Sequence, residues 1–285
     1  MYKKENNMAY LAQTSNFNET LDKSANRPWE MAVEPFRVAP RIYYVGQKWV
    51  GAYLIDTEEG LILLDTTVFE NVYLLLESIR KLGFDPRDIK HIFLSHGHVD
   101  HENGVRPIAE YTHAKIWMSK EDDEFRKILR ADGHGEGFKY CPYDVDCYYD
   151  YSKPMQFGSV TVQPRLTPGH TPGTVSFFFT MPDENGKLLT AAMHGGVGTI
   201  SMDDASLDKY NLPHSLRQRF IDDCEEMKKM HIDIALPSHP AHGNLFERIK
   251  NAQDAMDYTP MINPDEWGIF LDSRIGFVRD LETGK

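Results

Sequence analysis

Apolar and polar residues change their spacing several times along this chain, and the changes outline its elements. Ile42-Tyr43-Tyr44-Val45, Val50-Gly51-Ala52-Tyr53-Leu54-Ile55-Asp56 and Leu61-Ile62-Leu63-Leu64-Asp65 are short runs rich in aliphatic and aromatic residues, a composition that predicts strands. Thr57-Glu58-Glu59-Gly60 predicts a hairpin turn between the last two. Over 70–82, Val72, Leu75, Leu76, Ile79 and Leu82 fall at helical spacing, and Gly83 supplies a stop. A strand is predicted at 91–95, a helix near 104–111, a strand at 115–118 and an acidic helix near 120–130. The second half predicts strands at 159–165, 174–181, 187–193 and 232–237, with helices over 213–230 and 243–257. Trp267, Ile269, Phe270, Leu271 and Phe277 predict a packed terminal helix. Sheets followed by covering helices, twice over, predict an α/β (α+β) chain of two sheets face to face with helices outside. Residues 1–25 are polar and without periodicity, which predicts a loose arm. No linker rich in Pro, Gly or Ser follows, so 26–285 is expected to form one domain.

Composition narrows the functional classes. With 41% hydrophobic residues among 285, the chain has material for a substantial core, and no apolar run approaches the length of a membrane span. The net charge of -12 disfavours a nucleic-acid partner, because phosphate binding relies on clustered Lys and Arg. Cys141, Cys147 and Cys224 form no CxxC pair and leave an odd thiol, which fits a reducing compartment. Met1-Tyr2-Lys3-Lys4-Glu5-Asn6-Asn7 is not followed by the apolar core of a secretory signal, so a cytoplasmic location is expected. Nothing in the residues selects an oligomeric state.

The chemistry concentrates at His96-Gly97-His98-Val99-Asp100-His101, directly after the predicted strand His91-Ile92-Phe93-Leu94-Ser95. Three imidazoles and a carboxylate in one turn can converge on a small volume, His96 and His98 toward one ion, Asp100 and His101 toward another. Imidazole and carboxylate without thiolate is a donor set suited to zinc with open hydrolytic positions.

This stretch resembles the HxHxDH motif of the metallo-β-lactamase superfamily. Thr167-Pro168-Gly169-His170-Thr171-Pro172-Gly173 is similar to its second ligand loop, and Asp233-Ile234-Ala235-Leu236-Pro237-Ser238-His239-Pro240 to its last ligand. The His-Pro pair, with Asn26-Arg27-Pro28 and Glu34-Pro35-Phe36 upstream, is most similar to the third, dizinc subclass of metallo-β-lactamases. The resemblance implies an αββα sandwich with the site at one edge. It implies two Zn2+ ions per chain, one held by His96, His98 and His170, the other by Asp100, His101 and His239. Two such ions would bring a shared water toward neutral pKa and polarise a carbonyl, with Asp100 orienting the nucleophile or moving a proton. The implied function is zinc-dependent hydrolysis of an amide, lactam, lactone or ester bond in a small molecule. Alternatives are a β-lactamase proper, a diiron oxidoreductase and a non-catalytic metal-binding protein.

The chain departs from the family pattern at the end of the 187–193 strand. His194 stands where many members have a bridging Asp and the third subclass usually has Ser. It is expected in the pocket as an added ligand, a proton shuttle near neutral pH or a substrate contact, and is grouped with Asp100 as a candidate catalytic residue. His242 competes with His239, which follows the strand directly and is preferred. His91, His113, His134, His214 and His231 match no ligand position. The loop 131–153, with Gly133, Gly135, Gly137 and five tyrosines, is a candidate lid. Gly195-Gly196-Val197-Gly198 reads as a wall of the metal pocket, and Glu121-Asp122-Asp123-Glu124 and Asp222-Asp223-Cys224-Glu225-Glu226 as solvated helix faces.

Overall fold

The computed structural model describes residues 17–198 and 200–283. A helix α1 (Phe17–Asn26) precedes strands β1 (Phe36–Ala39), β2 (Ile42–Tyr44), β3 (Tyr53–Asp56) and β4 (Leu61–Leu64). Then come α2 (Val72–Lys81), β5 (Ile89–Phe93), the short α3 (Val99–Glu102), α4 (Val105–Thr112), β6 (Lys115–Met118), α5 (Lys120–Ala131) and β7 (Cys147–Tyr148). The second half holds β8 (Met155–Phe157), β9 (Val160–Leu166), β10 (Val175–Pro182), β11 (Leu188–Met193), α6 (Asp204–Lys209), α7 (Leu216–Met227), β12 (Ile234–Ala235), α8 (Leu245–Arg248) and α9 (Glu266–Thr283).

One sheet has seven strands in the order β1-β2-β3-β4-β5-β6-β7, the other five in the order β12-β11-β10-β9-β8. β4 through β7 run parallel to one another, as do β11 and β12, and the remaining pairs are antiparallel. Strand alternation sorts the apolar residues into layers. Tyr53 and Ile55 on β3, Ile62 and Leu64 on β4, and Phe93 on β5 face Phe177 and Phe179 of β10 between the sheets. Leu54, Leu61, Leu63 and Ile92, one residue out of phase, pack against Val72, Leu75 and Ile79 of α2 and Val105 and Ile108 of α4. Phe178 and Ala192 point the other way from the second sheet, onto Phe220 and Cys224 of α7 and Trp267 and Leu271 of α9. Helix, sheet, sheet and helix thus stack as an αββα sandwich. Each fully buried aromatic or aliphatic side chain in these layers contributes about 1.5–3 kcal/mol of transfer free energy.

Three expectations change. The arm expected over 1–25 is helical from Phe17, and Ser24 is fully buried with its carbonyl accepting from Asn71 Nδ2 at 3.0 Å. Residues 1–16 lie outside the described residues. The helix expected over 243–257 is reduced to α8 and a 3-10 turn at Ile249–Asn251. The acidic stretches are not solvated faces throughout, because Asp122 and Cys224 are fully buried and Asp123 and Asp223 nearly so.

Candidate metal centre

Strand ends and the turns after them supply the site. Leu94 and Ser95 continue β5 into the turn carrying His96 and His98, and α3 begins directly after His98, lifting Asp100 and His101 from its first turn. His170 lies in the connection between β9 and β10, and His239 follows β12. The structure brings His96, His98 and His170 into one group and Asp100, His101 and His239 into another, with the donor atoms of each within 4.8 Å of one another. The groups adjoin, since the rings of His96 and His101 are 4.3 Å apart.

The partners of the outer nitrogens fix which inner ones carry lone pairs. His170 Nδ1 faces the Gly198 carbonyl at 2.8 Å and His239 Nδ1 the Trp49 carbonyl at 2.8 Å, so both nitrogens donate and both Nε2 atoms are acceptors. His101 Nδ1 faces Asp65 Oδ2 at 2.8 Å. Ser95 Oγ donates to Asp65 Oδ2 at 2.8 Å, which leaves it to accept from His96 Nδ1 at 2.9 Å. His96 Nε2 is then a buried lone pair with no partner. His98 Nδ1 meets His170 Nε2 at 2.8 Å. In the second group, His101 Nε2 lies 3.2 Å from His239 Nε2, and Asp100 Oδ2 lies 3.5 and 3.4 Å from them.

Such convergence favours a cation. Burial opposes charge on Asp100 and on His101, but each outweighs it through the other: Asp100 is held below its usual range and His101 above its own, with Asp65 adding to the latter. Burial pushes His170 and His239 down to about 4 and His96 and His98 well below their usual range, so these four imidazoles are neutral at pH 7. Neutral nitrogens and an ionised carboxylate are what a divalent ion needs, and a metal ion is the cation that can engage all three donors of a group together. The residues therefore fit zinc.

Asp65, at the end of β4, matches none of the motifs in the sequence. It is buried at φ 59°, in the left-handed region, and its carboxylate also accepts from Ser95 N at 2.8 Å. It thereby orients His101 directly and His96 through Ser95, the carboxylate–histidine arrangement that raises ligand basicity. Thr67, at φ 61°, repeats the strain two residues on. His134 lies closer to the site than its sequence position suggests, and His242, the rival for the last ligand position, packs beside His239 without joining its donor group. The His134 ring is 4.7 Å from that of His98 and its Nε2 is buried without a partner. The His242 ring is 4.9 Å from that of His239, and its Nδ1 is equally orphaned.

His194 belongs to neither donor group. Its side chain is 1% exposed, its ring lies 5.4 Å from that of Phe220, and its Nε2 is 4.0 Å from Cys224 Sγ. Burial pushes it down to about 3, which corrects the expectation of a proton shuttle titrating near neutrality. Gly196 and Gly198 do flank the pocket: a Cβ would come within 2.5 Å of His170 Cδ2 at the first and 2.7 Å of His170 Cε1 at the second. The 131–153 segment is anchored rather than loose at its tyrosines. Tyr149 is buried between the sheets with its hydroxyl against Leu94 and Trp117, and Tyr143 bonds Glu102. Phe138 in the same segment stacks on Trp49, whose ring is 6.1 Å from His239.

Two sheets back to back, with paired three-donor groups on their strand-end loops, define a class of αββα metal-site proteins. The chain belongs to the metallo-beta-lactamase superfamily, whose family model matches residues 50–239. It is 32% identical over 124 residues to the N-acyl homoserine lactonase AttM of Agrobacterium fabrum, a match covering 40% of this chain and 45% of the lactonase. The chain thus spans less than half the length of that curated relative. Among solved structures, it is similar to the FEZ-1 metallo-beta-lactamase of Legionella gormanii at 26% identity and a TM-score of 0.77, covering 89% of this chain and 96% of that one. The subclass B3 enzyme BJP-1 of Bradyrhizobium japonicum matches at 26% identity and a TM-score of 0.73, covering 91% and 97%.

Proposed function

We propose that this protein is a zinc-dependent hydrolase that opens a lactone, lactam, amide or ester bond in a small molecule, with two ions per chain. The observation that carries the reading is the set of outer hydrogen bonds that the histidines donate to Gly198, Trp49, Asp65 and Ser95, which leave lone pairs converging in two adjacent groups. His96, His98 and His170 would hold one ion, and Asp100, His101 and His239 the other. Zinc, when bound, supplies Lewis acidity that activates water and polarises a carbonyl. Asp100 is ionised and partly accessible, at 13% side-chain exposure, so one oxygen can serve the ion while the other accepts or returns a proton. His194, buried against Phe220 and Cys224, is a packing residue behind the His170 loop in this reading and stays neutral.

Lactones are the preferred substrate class, because the relatives by sequence include homoserine lactonases. β-Lactams are the second reading, favoured by the similarity to FEZ-1 and BJP-1. A cytoplasmic location is part of the proposal, supported by the three unpaired cysteines. Among the described residues, no helix is long and apolar enough to cross a membrane. The test is hydrolysis of an N-acyl homoserine lactone and of a chromogenic cephalosporin by zinc-loaded protein, beside a chelated control and a metal analysis. Turnover that disappears with the metal supports the hydrolase, and the faster substrate selects the class. Iron with no turnover points to the oxidoreductase, and tightly held zinc with no turnover on a wider ester panel to a non-catalytic role; either overturns the proposal.

A further inference from the structure

Asp122 touches both loops of the first donor group without belonging to it. It lies in the first turn of α5, where Ser119 Oγ caps the helix by accepting from Asp122 N at 3.1 Å, and its side chain is fully buried. Its Oδ2 accepts from Gly97 N at 2.8 Å and from Thr171 Oγ1 at 2.7 Å, and its Oδ1 from Gly173 N at 2.7 Å. Gly97 sits between His96 and His98, and Thr171 directly follows His170. The helix reaches both loops because neither glycine has a side chain. A Cβ would stand 2.8 Å from Arg126 Cβ at Gly97, and 2.4 Å from Asp122 N at Gly173.

A buried carboxylate without a cation against it is costly unless its lone pairs are filled, and here three donors fill them. Those donors lie 25, 49 and 51 residues away in sequence, so the bonds are tertiary contacts and no part of the cap of α5. They tie one loop to the other. The far end of α5 is tied as well, since Arg130 donates to Glu102, next to His101, and to the carbonyl of His134. The helix is a strut with the first donor group at one end.

We propose that Asp122 is a positioning residue for this group: it sets the gap between the His96–His98 turn and the His170 loop, and so the affinity of the three-histidine site for its ion. The inference rests on the reading of the two groups as zinc sites. Asp122→Asn is the discriminating change, because an amide keeps one acceptor and turns an NH2 toward a donor on one of the two loops. Asp123→Asn is the matched control. Asp123 is the adjacent carboxylate and also largely buried, but it bonds Arg126, Lys127 and Tyr148 rather than either ligand loop.

The experiment is a zinc titration of the metal-free full chain against a chromophoric chelator, repeated with cobalt(II) to follow the two groups by absorption. The parent is expected to bind two ions. Asp122→Asn is expected to keep one at parental affinity and to bind the other roughly 10–100-fold more weakly, with the loss in the three-histidine cobalt band. Asp123→Asn is expected to keep both affinities, even if it melts earlier. Parental affinities in Asp122→Asn, or equal losses in the two variants, would overturn the proposal in favour of a general structural role. Should Asp122→Asn not fold, Thr171→Val removes one of the three donors, and unchanged affinity at the three-histidine site there is equally decisive against it. A parent that binds no zinc overturns the functional reading and this inference together, whereas a parent that binds two ions isolates the result to Asp122.

Discussion

At the scale of single residues, Asp65 shows how far a site depends on groups that never reach its centre. One carboxylate accepts from Ser95 N, Ser95 Oγ and His101 Nδ1, and so fixes imidazoles in both donor groups. To do so it adopts a left-handed backbone at φ 59°, a conformation that costs about 1–3 kcal/mol and persists where surrounding structure holds it. Asp65→Asn should therefore do more than weaken one hydrogen bond. An amide NH2 in place of Oδ2 would face the Ser95 hydroxyl and the His101 N–H, donor against donor. The expected outcome is a loss of about 1–3 kcal/mol in stability and a 10–100-fold loss of zinc affinity, read by denaturant melts of the metal-free protein and by competitive titration. A variant that melts earlier yet binds zinc as before would show that Asp65 braces the loop without orienting His101. The same residue marks the limit of legibility. His96, His98, Asp100 and His101 were legible because they crowd into one turn after an apolar strand. Asp65 acts across 30 and 36 residues, and a strand-end Asp carries no local pattern that foretells such a contact. His134 matches no ligand motif for the same reason, and the side that His194 faces is not legible because sequence position does not say which way a strand-end side chain turns.

At the scale of elements, strands are more legible in the sequence than helices and turns. β5, β6, β9, β10 and β11 fall within two residues of their expected bounds, because alternation and buried apolar runs are enforced by the layers on either side. The run from Val50 begins as a strand only at Tyr53, since Gly51 N instead donates to the Ser238 carbonyl at 2.8 Å. The segment 243–257 has apolar residues at roughly helical spacing, but Asn244 enters at φ 48° and Ala252 leaves with an extended backbone, so only α8 and the short 3-10 turn after it form. Asp122 is indistinguishable in sequence from its acidic neighbours, because periodicity reports a helix face and not what comes down onto it. The turn 45–52 serves the site directly, since it presents the Trp49 carbonyl to His239. Gly51 permits this, as a Cβ there would stand 2.9 Å from both the Pro237 and Ser238 carbonyl oxygens. Gly51→Ala should push this turn off the strand that leads to His239. The melting temperature is expected to fall, and the Asp100–His101–His239 group to lose more zinc affinity than the three-histidine group. Equal losses at the two groups would locate the damage in the core instead.

At the scale of the whole molecule, the donor groups join the two sheets. His96, His98, Asp100 and His101 come from the seven-stranded sheet and its turn, and His170 and His239 from loops of the five-stranded one, so each group draws on both halves. Metal binding should then stabilise the sandwich as a unit. With zinc at about 100 times its dissociation constant, each site adds about 2.7 kcal/mol, and at about 2 °C per kcal/mol two sites amount to roughly 10 °C in melting temperature on chelation. The metal-free protein should also be acid-sensitive, and the sign follows from the histidines. His170 and His239 are pushed down to about 4 by burial, and His96, His98, His134 and His242 are also lowered. Between about pH 6.5 and 4, the unfolded chain takes up protons that these folded imidazoles refuse, so stability present above that window is lost as pH falls through it. Two groups pull the other way: His101, raised by its carboxylate neighbours, and Asp122, raised by burial to about 6, both favour the folded state on acidification. The lowered histidines outnumber them, so the melting temperature of chelated protein should fall steadily from pH 7.5 to 5. Zinc-loaded protein should hold level until protons displace the metal, then drop toward the metal-free curve. A chelated protein whose melting temperature is flat or rises over that range would mean that these imidazoles are not held neutral in the folded chain and do not stand ready for a metal.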